Sequence, residues 1–195
     1  MVRERSVSSQ EAMLAAYVSP PAKLNGRVDV VAYDPVWPGL FEREAARIRA
    51  VLGPVVVALE HVGSTSVPGL AAKPIVDVLL VVADSGDEST YVPALEAAGY
   101  VLRVREPEWH EHRMFKGPDT DVNLHVHTVG SPEITRMLTF RDWLRAHEED
   151  RALYESVKSG LAARDWTYVQ DYADAKNDVV DEILSRAAPD GPRRD

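Results

Sequence analysis

VVVALEHVGSTSVPGLAAKPIVDVLLVV, Val55 to Val82, holds two apolar, β-branched runs separated by a segment that no regular element can cross. The first run, Val55 to Glu60, reads as a buried strand. The second, Ile75 to Val82, is hydrophobic throughout except for Asp77, and predicts a neighbouring strand of the same sheet. Between them Pro68-Gly69 forces a turn and Pro74 stops any helix before the second strand. Gly63, Ser64, Thr65 and Ser66 supply amides and hydroxyls that donate hydrogen bonds, and Lys73 adds a cation. A lone carboxylate in an apolar strand must meet a partner or ionise at a mouth of the sheet, because burying it unpaired is costly. A hydroxyl-rich loop, a lysine and a strand aspartate together have the makings of an anion-and-metal site.

Working outward, Val28 to Tyr33 alternates weakly and reads as a strand. A helix follows from about Pro38 to Leu52, striped by Leu40, Ala45, Ile48 and Leu52 and stopped by Gly53-Pro54. Downstream, a helix from about Thr90 to Ala98 precedes a strand at Tyr100 to Val104. His112 to Lys116 and Val122 to Val129 read as paired strands around Gly117-Pro118-Asp119. On the last strand Asn123, His125 and His127 share one face, and Leu124 and Val126 the other. Ser131-Pro132 opens a helical C-terminal third, with a second helix at Glu149 to Ala163 and a third at Trp166 to Ala187. Tyr154 and Lys158 sit four apart on the second, and Tyr172 and Lys176 repeat that spacing on the third. Residues 1–27 read as an N-terminal appendage, 28–187 as a single domain and 188–195 as a disordered tail.

The chain has 195 residues and no cysteine, which excludes disulfides, thiolate metal sites and cysteine nucleophiles. No apolar run approaches membrane-helix length and the N-terminus lacks a signal-peptide core, so the expectation is a cytoplasmic protein that binds no membrane. A net charge of -9 repels nucleic acid, whereas a small anionic substrate needs only a few placed cations. P-loop and G-x-G-x-x-G signatures are absent. His61 reads either as a general base or as a hydrogen-bonded strand-end residue. Arg141, Arg145 and Lys158 read as a solvated helix face, the segment Glu106 to Arg113 as a solvated loop, and Tyr154 and Tyr172 as packing residues. The sequence leaves oligomeric state open.

Glu60 to Val78, EHVGSTSVPGLAAKPIVDV, resembles the signature of the GrpB-like family. The resemblance extends over about residues 28–187, through YDPVWPGLFERE at Tyr33 to Glu44, LEAAGY at Leu95, HRMF at His112, NLHV at Asn123 and FRDWLR at Phe140. That family is similar to the nucleotidyltransferase superfamily that includes DNA polymerase beta. The implied fold is α+β, a small mixed sheet flanked by helices with a helical C-terminal portion. The implied activity is transfer of a nucleotidyl group from a nucleoside triphosphate to a small-molecule acceptor. Gly63 and Ser64 match the superfamily's phosphate loop, which Thr65, Ser66, Lys73 and Arg113 would complete. Asp77 matches its first metal-binding carboxylate, with His61 as the second catalytic candidate. The second carboxylate position is Leu79, a departure from the superfamily pattern. Asp77 with His125 is then the expected ligand pair for a divalent metal (magnesium, manganese or zinc), the softer donor set favouring manganese or zinc. An Asp77–His125 ion pair without metal is the alternative, and a non-catalytic nucleotide- or metabolite-binding module or a metal-dependent phosphate-ester hydrolase are the other functional readings.

Overall fold

Register across one sheet decides which side chains meet. In the computed structural model, which describes residues 10–187, five strands run in the order β1-β2-β5-β4-β3. They are β1 (Ala58–Val62), β2 (Val76–Val82), β3 (Val101–Glu106), β4 (His112–Lys116) and β5 (Val122–Thr128). β2 pairs antiparallel with β1, placing Val62 opposite Asp77, and parallel with β5, placing Asp77 opposite Asn123 and Leu79 opposite His125. The β3–β4 and β4–β5 pairs are antiparallel, so the sheet is mixed.

Period-two alternation then sorts the residues by face. One face carries Leu59, Val78, Leu80, Phe115, Leu124 and Val126, packed against Phe41, Ala45 and Ile48 of α2 (Trp37–Leu52) and Leu95 of α3 (Val92–Ala97). The other carries Val62, Leu79 and Val81 beneath Ile134, Met137 and Leu138 of α4 (Pro132–Ala146). Further along that second face, Asp77, Asn123 and His125 are half-buried. α4, α5 (Glu148–Ala162) and α7 (Asn177–Ala187) share a core of Leu144, Tyr154, Val179 and Ile183 with Val67 and Leu70, so the helical third seats directly on the Gly63–Leu70 connection.

Three elements differ from the sequence expectations. β1 begins at Ala58, because the pair Gly53-Pro54 opens a 3-10 turn through Val55 and leaves Val57 exposed. Val28 to Tyr33 forms no strand: Val28 turns into a cluster with Leu161, Ala162 and Tyr172, and Val31 makes an isolated antiparallel bridge to Ala72. The stretch from Trp166 to Ala187 is two helices, α6 (Val169–Asp174) and α7, rather than one. Trp166 is held extended by a bridge to Gly26, and the Asp171 carboxylate accepts from the Tyr168 amide to start α6 afresh.

Among residues 10–27, helix α1 (Gln10–Ala16) leads to a bridge between Tyr17 and Val104, and the Leu24 amide donates to the Thr167 carbonyl at 2.8 Å. Residues 1–9 and the tail 188–195 lie outside the described residues. No helix among the described residues is long and apolar enough to cross a membrane.

Candidate functional site

The turn between β1 and β2 is built around Gly63. Its φ of 68° and ψ of -174° lie in a region open essentially to glycine, and a Cβ there would collide with the Asp77 carboxylate. The backbone therefore passes directly over Asp77. Two of the three turn hydroxyls are used internally: Ser66 Oγ donates to the Gly63 carbonyl at 2.6 Å, and Thr65 Oγ1 donates to the Ile75 carbonyl at 3.2 Å. With the Thr65 proton committed, His61 Nε2 donates to Thr65 Oγ1 at 3.1 Å. Thr65, Ser66 and His61 are buried, and they shape the turn. Ser64 is half-buried, and its hydroxyl receives Lys158 Nζ at 3.0 Å.

Lys158 is 2% exposed and overturns the reading of that position as part of a solvated helix face. Its ammonium also donates to the Ala71 carbonyl at 2.6 Å and lies 4.7 Å from the Tyr154 ring centre. Burial, with a smaller contribution from the Lys176 charge, lowers it to about 7. Lys176 repeats the arrangement over Tyr172 at 4.6 Å. Lys73 and Lys176 are half-buried, and burial lowers both while the Asp77 charge raises both; the Lys176 charge further lowers Lys73. Three lysines from three parts of the chain thus gather around the turn that covers Asp77.

Asp77 Oδ1 accepts from Asn123 Nδ2 at 2.8 Å, and His125 Nε2 lies 3.7 Å from the same oxygen. Burial pushes the Asp77 carboxyl up, but the His125 imidazole, the Asn123 amide and the Lys73 charge outweigh it and hold the group below the ordinary carboxylate range. The other ring nitrogen, His125 Nδ1, meets His112 Nε2 at 3.0 Å, and His112 Nδ1 meets Glu106 Oε2 at 2.7 Å. Within the segment Glu106 to Arg113 only the turn is solvated, with Pro107, Glu108 and Glu111 exposed, whereas His112 and Arg113 are buried in β4. Trp109 stands edge-on to His112 and His127, and His127 stacks on His112 at 4.9 Å.

Two expected members do not join this cluster. Arg113 pairs with Val126 and shares the opposite face with Phe115, where it binds Glu88 Oε1 at 2.5 Å and the Glu111 carbonyl at 2.9 Å. His61 also points to that opposite face, stacked on Phe41 with ring centres 4.9 Å apart. Burial, reinforced by Arg145 and Arg141, lowers the His61 imidazole to about 4. Arg141 and Arg145 instead brace the turn from α4, through the His61 carbonyl at 3.1 Å and the Ser66 carbonyl at 2.8 Å.

The metal expectation has two parts with different outcomes. Leu79, where a second carboxylate would be needed, is fully buried in the apolar layer under α4, so a two-magnesium set does not fit. No cluster of three or more His, Asp or Glu residues able to hold a metal ion occurs among the described residues. Asp77 Oδ1 and His125 Nε2 lie 3.7 Å apart, the geometry of the ion pair that is the alternative to a metal site.

Comparison with known proteins agrees with this architecture. A family model described as GrpB protein matches residues 27–186. A UPF0157 protein of Halalkalibacterium halodurans is 63% identical over 163 residues, covering 84% of each chain. One from Streptomyces coelicolor is 51% identical over 155 residues, covering 80% of this chain and 81% of its own. The crystal structure of the conserved protein GrpB from Enterococcus faecalis superposes with a TM-score of 0.69 at 30% identity, over 82% of this chain and 96% of that one. On its sequence and on its fold, the chain belongs to the GrpB family.

Proposed function

We propose that this GrpB-family chain is a nucleotidyltransferase-like enzyme that moves a nucleotidyl group from a nucleoside triphosphate to a small-molecule acceptor. The observation that carries the reading is the convergence of Lys73, Lys158 and Lys176 on the Gly63–Ser64 turn beside Asp77. Burial lowers all three ammonium groups, and the Lys176 charge further lowers Lys73 and Lys158; an anion relieves such groups, and a polyphosphate supplies several negative oxygens in a row.

In this reading the Ser64 hydroxyl, fixed by Lys158, and the turn amides hold phosphate oxygens, while Lys73 and Lys176 offset their charge. Asn123 fixes the rotation of the Asp77 carboxylate. Asp77 and His125 would hold a divalent cation, which supplies charge neutralisation at the phosphate oxygens. An acceptor hydroxyl, amine or carboxylate oxygen or nitrogen forms the new bond to the α-phosphorus as the bond to pyrophosphate breaks. Pyrophosphate leaves with the bonding electrons, and any acceptor proton is lost to solvent. His61, lowered to about 4 and turned to the other face, acts here by shaping the turn rather than as a base.

A second reading has its own observation. The buried, apolar Leu79 removes the second carboxylate of a two-metal enzyme and favours a module that binds a nucleotide without transferring it. Incubation of the protein with each nucleoside triphosphate, a divalent metal and pooled metabolites tests both. Pyrophosphate release that is lost in Lys73→Ala supports transfer. Triphosphate binding without pyrophosphate release supports the binding module. Release of phosphate from monoesters, with no pyrophosphate from triphosphates, would overturn both in favour of a hydrolase.

A further inference from the structure

Lys158 is buried, and the acceptors of its Nζ are neutral: the Ser64 hydroxyl at 3.0 Å and the Ala71 carbonyl at 2.6 Å. A buried lysine is ordinarily paired with an acid, and neutral acceptors do less to hold its proton. The titratable groups that face it are Tyr154 and Glu155 of α5 and Lys176, which lies between α6 and α7. Burial and the Lys176 charge lower it to about 7 against the opposing charge of Glu155. Near neutrality the contact with Ser64 therefore runs both ways. As an ammonium, Lys158 donates to Ser64 Oγ and leaves the hydroxyl proton for a phosphate oxygen. As an amine, it keeps one N–H on the Ala71 carbonyl, which only accepts, and its lone pair takes the Ser64 proton. Tyr154 is no rival base, because burial pushes its hydroxyl up to about 12 and the phenol keeps its proton.

We infer that Ser64 is a covalent modification site, a nucleophile toward electrophilic phosphorus with Lys158 as its base. The hydroxyl is half-buried and the amine behind it is 2% exposed, so the nucleophile is within reach while the base is shielded from water. Lys73 and Lys176, gathered at the same turn, favour a phosphorus centre with anionic oxygens over a neutral ester. The Ser64 Oγ–phosphorus bond forms as the bond from phosphorus to the leaving group breaks. The leaving group departs with the bonding electrons, and the Ser64 proton passes to Lys158 Nζ, which becomes an ammonium. With a nucleoside triphosphate the leaving group is pyrophosphate, and Ser64 is the chain's own acceptor hydroxyl, in competition with the small-molecule acceptor. In that use the inference rests on the proposed function, but the nucleophile–base pair is tested without a nucleotide.

The probe is an alkyl fluorophosphonate, from which fluoride leaves, with the adduct located by peptide mass mapping. The expected adduct is on Ser64, is absent from Ser64→Ala, and forms at a rate that rises with pH and levels off above about 7. Lys158→Met should slow it by about 100–10,000-fold at pH 8, the worth of a general base. Lys158→Arg restores the charge without the base and should be no faster, whereas a lysine that only positioned Ser64 by its charge would be rescued. An unlabelled Ser64, equal rates in wild type and Lys158→Met, or a wild-type rate that climbs to pH 10 without levelling off would overturn the assignment. Should both Lys158 variants fail to fold, the position of the adduct and the wild-type pH profile decide. Labelled Ser64 with no triphosphate binding would sink the proposed function and leave this assignment standing. Pyrophosphate release with an unlabelled Ser64 would do the reverse.

Discussion

Gly63 lies directly on the Asp77 carboxylate: with φ at 68°, its missing side chain is the space that the carboxylate occupies. The turn and the β2 aspartate are thereby one unit, since neither can shift without the other. Gly69, in the same connection, also has positive φ (79°), but a methyl group there would meet nothing within 4 Å. The two glycines separate conformational cost from collision. Gly69→Ala should lose roughly 1–2 kcal/mol from its backbone alone. Gly63→Ala should lose more and also disturb Asp77. Urea unfolding of both variants checks this, and equal losses would show that the carboxylate yields easily.

The buried Lys158 makes stability depend on pH in a definite direction. Burial holds its amine near 7, below the ordinary value of 10.5 that the unfolded chain regains. Between those values the unfolded chain binds the extra proton, so stability should rise with pH across that window. Below about pH 7 both states are protonated and the full penalty of burying the charge remains. Lys158→Met should reduce the gain in urea midpoint between pH 7 and pH 9.5 without removing it, because Lys73 and Lys176 are lowered in the same sense. An unchanged gain would mean that Lys158 is charged and satisfied in the folded protein at pH 7.

Much of this arrangement is readable in the residues themselves. Alternation in NLHVHT places Leu124 and Val126 in the core and His125 on the other face, as observed. The same alternation, applied to HRMF, assigns Arg113 to the face of Phe115 and so away from Asp77. His112 then belongs with His125, a signal present in the spacing. The parallel pairing of β2 with β5 is not readable, because some forty residues separate the strands and nothing local sets their register. Lys158 illustrates a different barrier. A lysine on a charged helix is ordinarily solvated, and its burial follows from seating α5 on the Gly63–Leu70 turn, a tertiary event. The repeated Tyr-x-x-x-Lys spacing is the available hint, since in both copies the ammonium lies over the ring. The break between α6 and α7 carries no proline or glycine; there the last turn of α6 tightens, with the Lys176 amide donating three residues back to the Ala173 carbonyl at 3.2 Å.

Leu79 tests whether the Asp77 face could be returned to a two-carboxylate pattern. It packs with Val62, Val81, Ile134, Met137 and Leu138, and it is fully buried. If the position were a vacant ligand site, Leu79→Asp would restore metal-dependent activity at small structural cost. In this apolar layer the substitution should instead cost several kcal/mol, or leave the new carboxyl protonated. Thermal unfolding and Mn2+ titration of Leu79→Asp check it. A stable variant with tighter metal binding would show that α4 opens over this face.

Charge argues against a nucleic-acid partner. With a net charge of -9, and with the lysines of the cluster partly buried around Asp77, long polyanions gain little by approaching. A mobility-shift assay at physiological salt should show no retention of duplex DNA or of single-stranded RNA. Sub-micromolar binding would require a basic surface strong enough to overcome the net negative charge.

The sharpest test of the phosphate site compares Ser64 with Lys73. Both stand out by their place in the sequence, yet the structure gives them different connections. Lys73 is half-buried beside Asp77, and its loss removes one charge facing the ligand. Lys73→Ala should therefore weaken nucleoside triphosphate binding by roughly 1.5–3 kcal/mol, the worth of a charge-assisted hydrogen bond, and change the fold little. Removing the lysine also relieves the Asp77–Lys73 attraction, so the Asp77 carboxyl should move up. Ser64 is tied to Lys158 at 3.0 Å. Ser64→Ala takes away a phosphate donor and strips the buried ammonium of one of its two acceptors, the Ala71 carbonyl remaining. It should weaken binding by a similar amount and also lower stability by about 1–3 kcal/mol, the cost of an unsatisfied buried donor. That loss should shrink at pH 9.5, where the Lys158 amine is largely neutral in the folded protein. Ser64→Ala and Lys158→Met share one contact, so the double variant should lose less stability than the sum of the two. Isothermal titration with a nucleoside triphosphate, alongside urea unfolding at both pH values, measures every quantity. Unchanged affinity in both single variants would remove the Gly63–Ser64 turn from any phosphate site, and additive stability losses would mean that the Lys158–Ser64 contact contributes nothing to the fold.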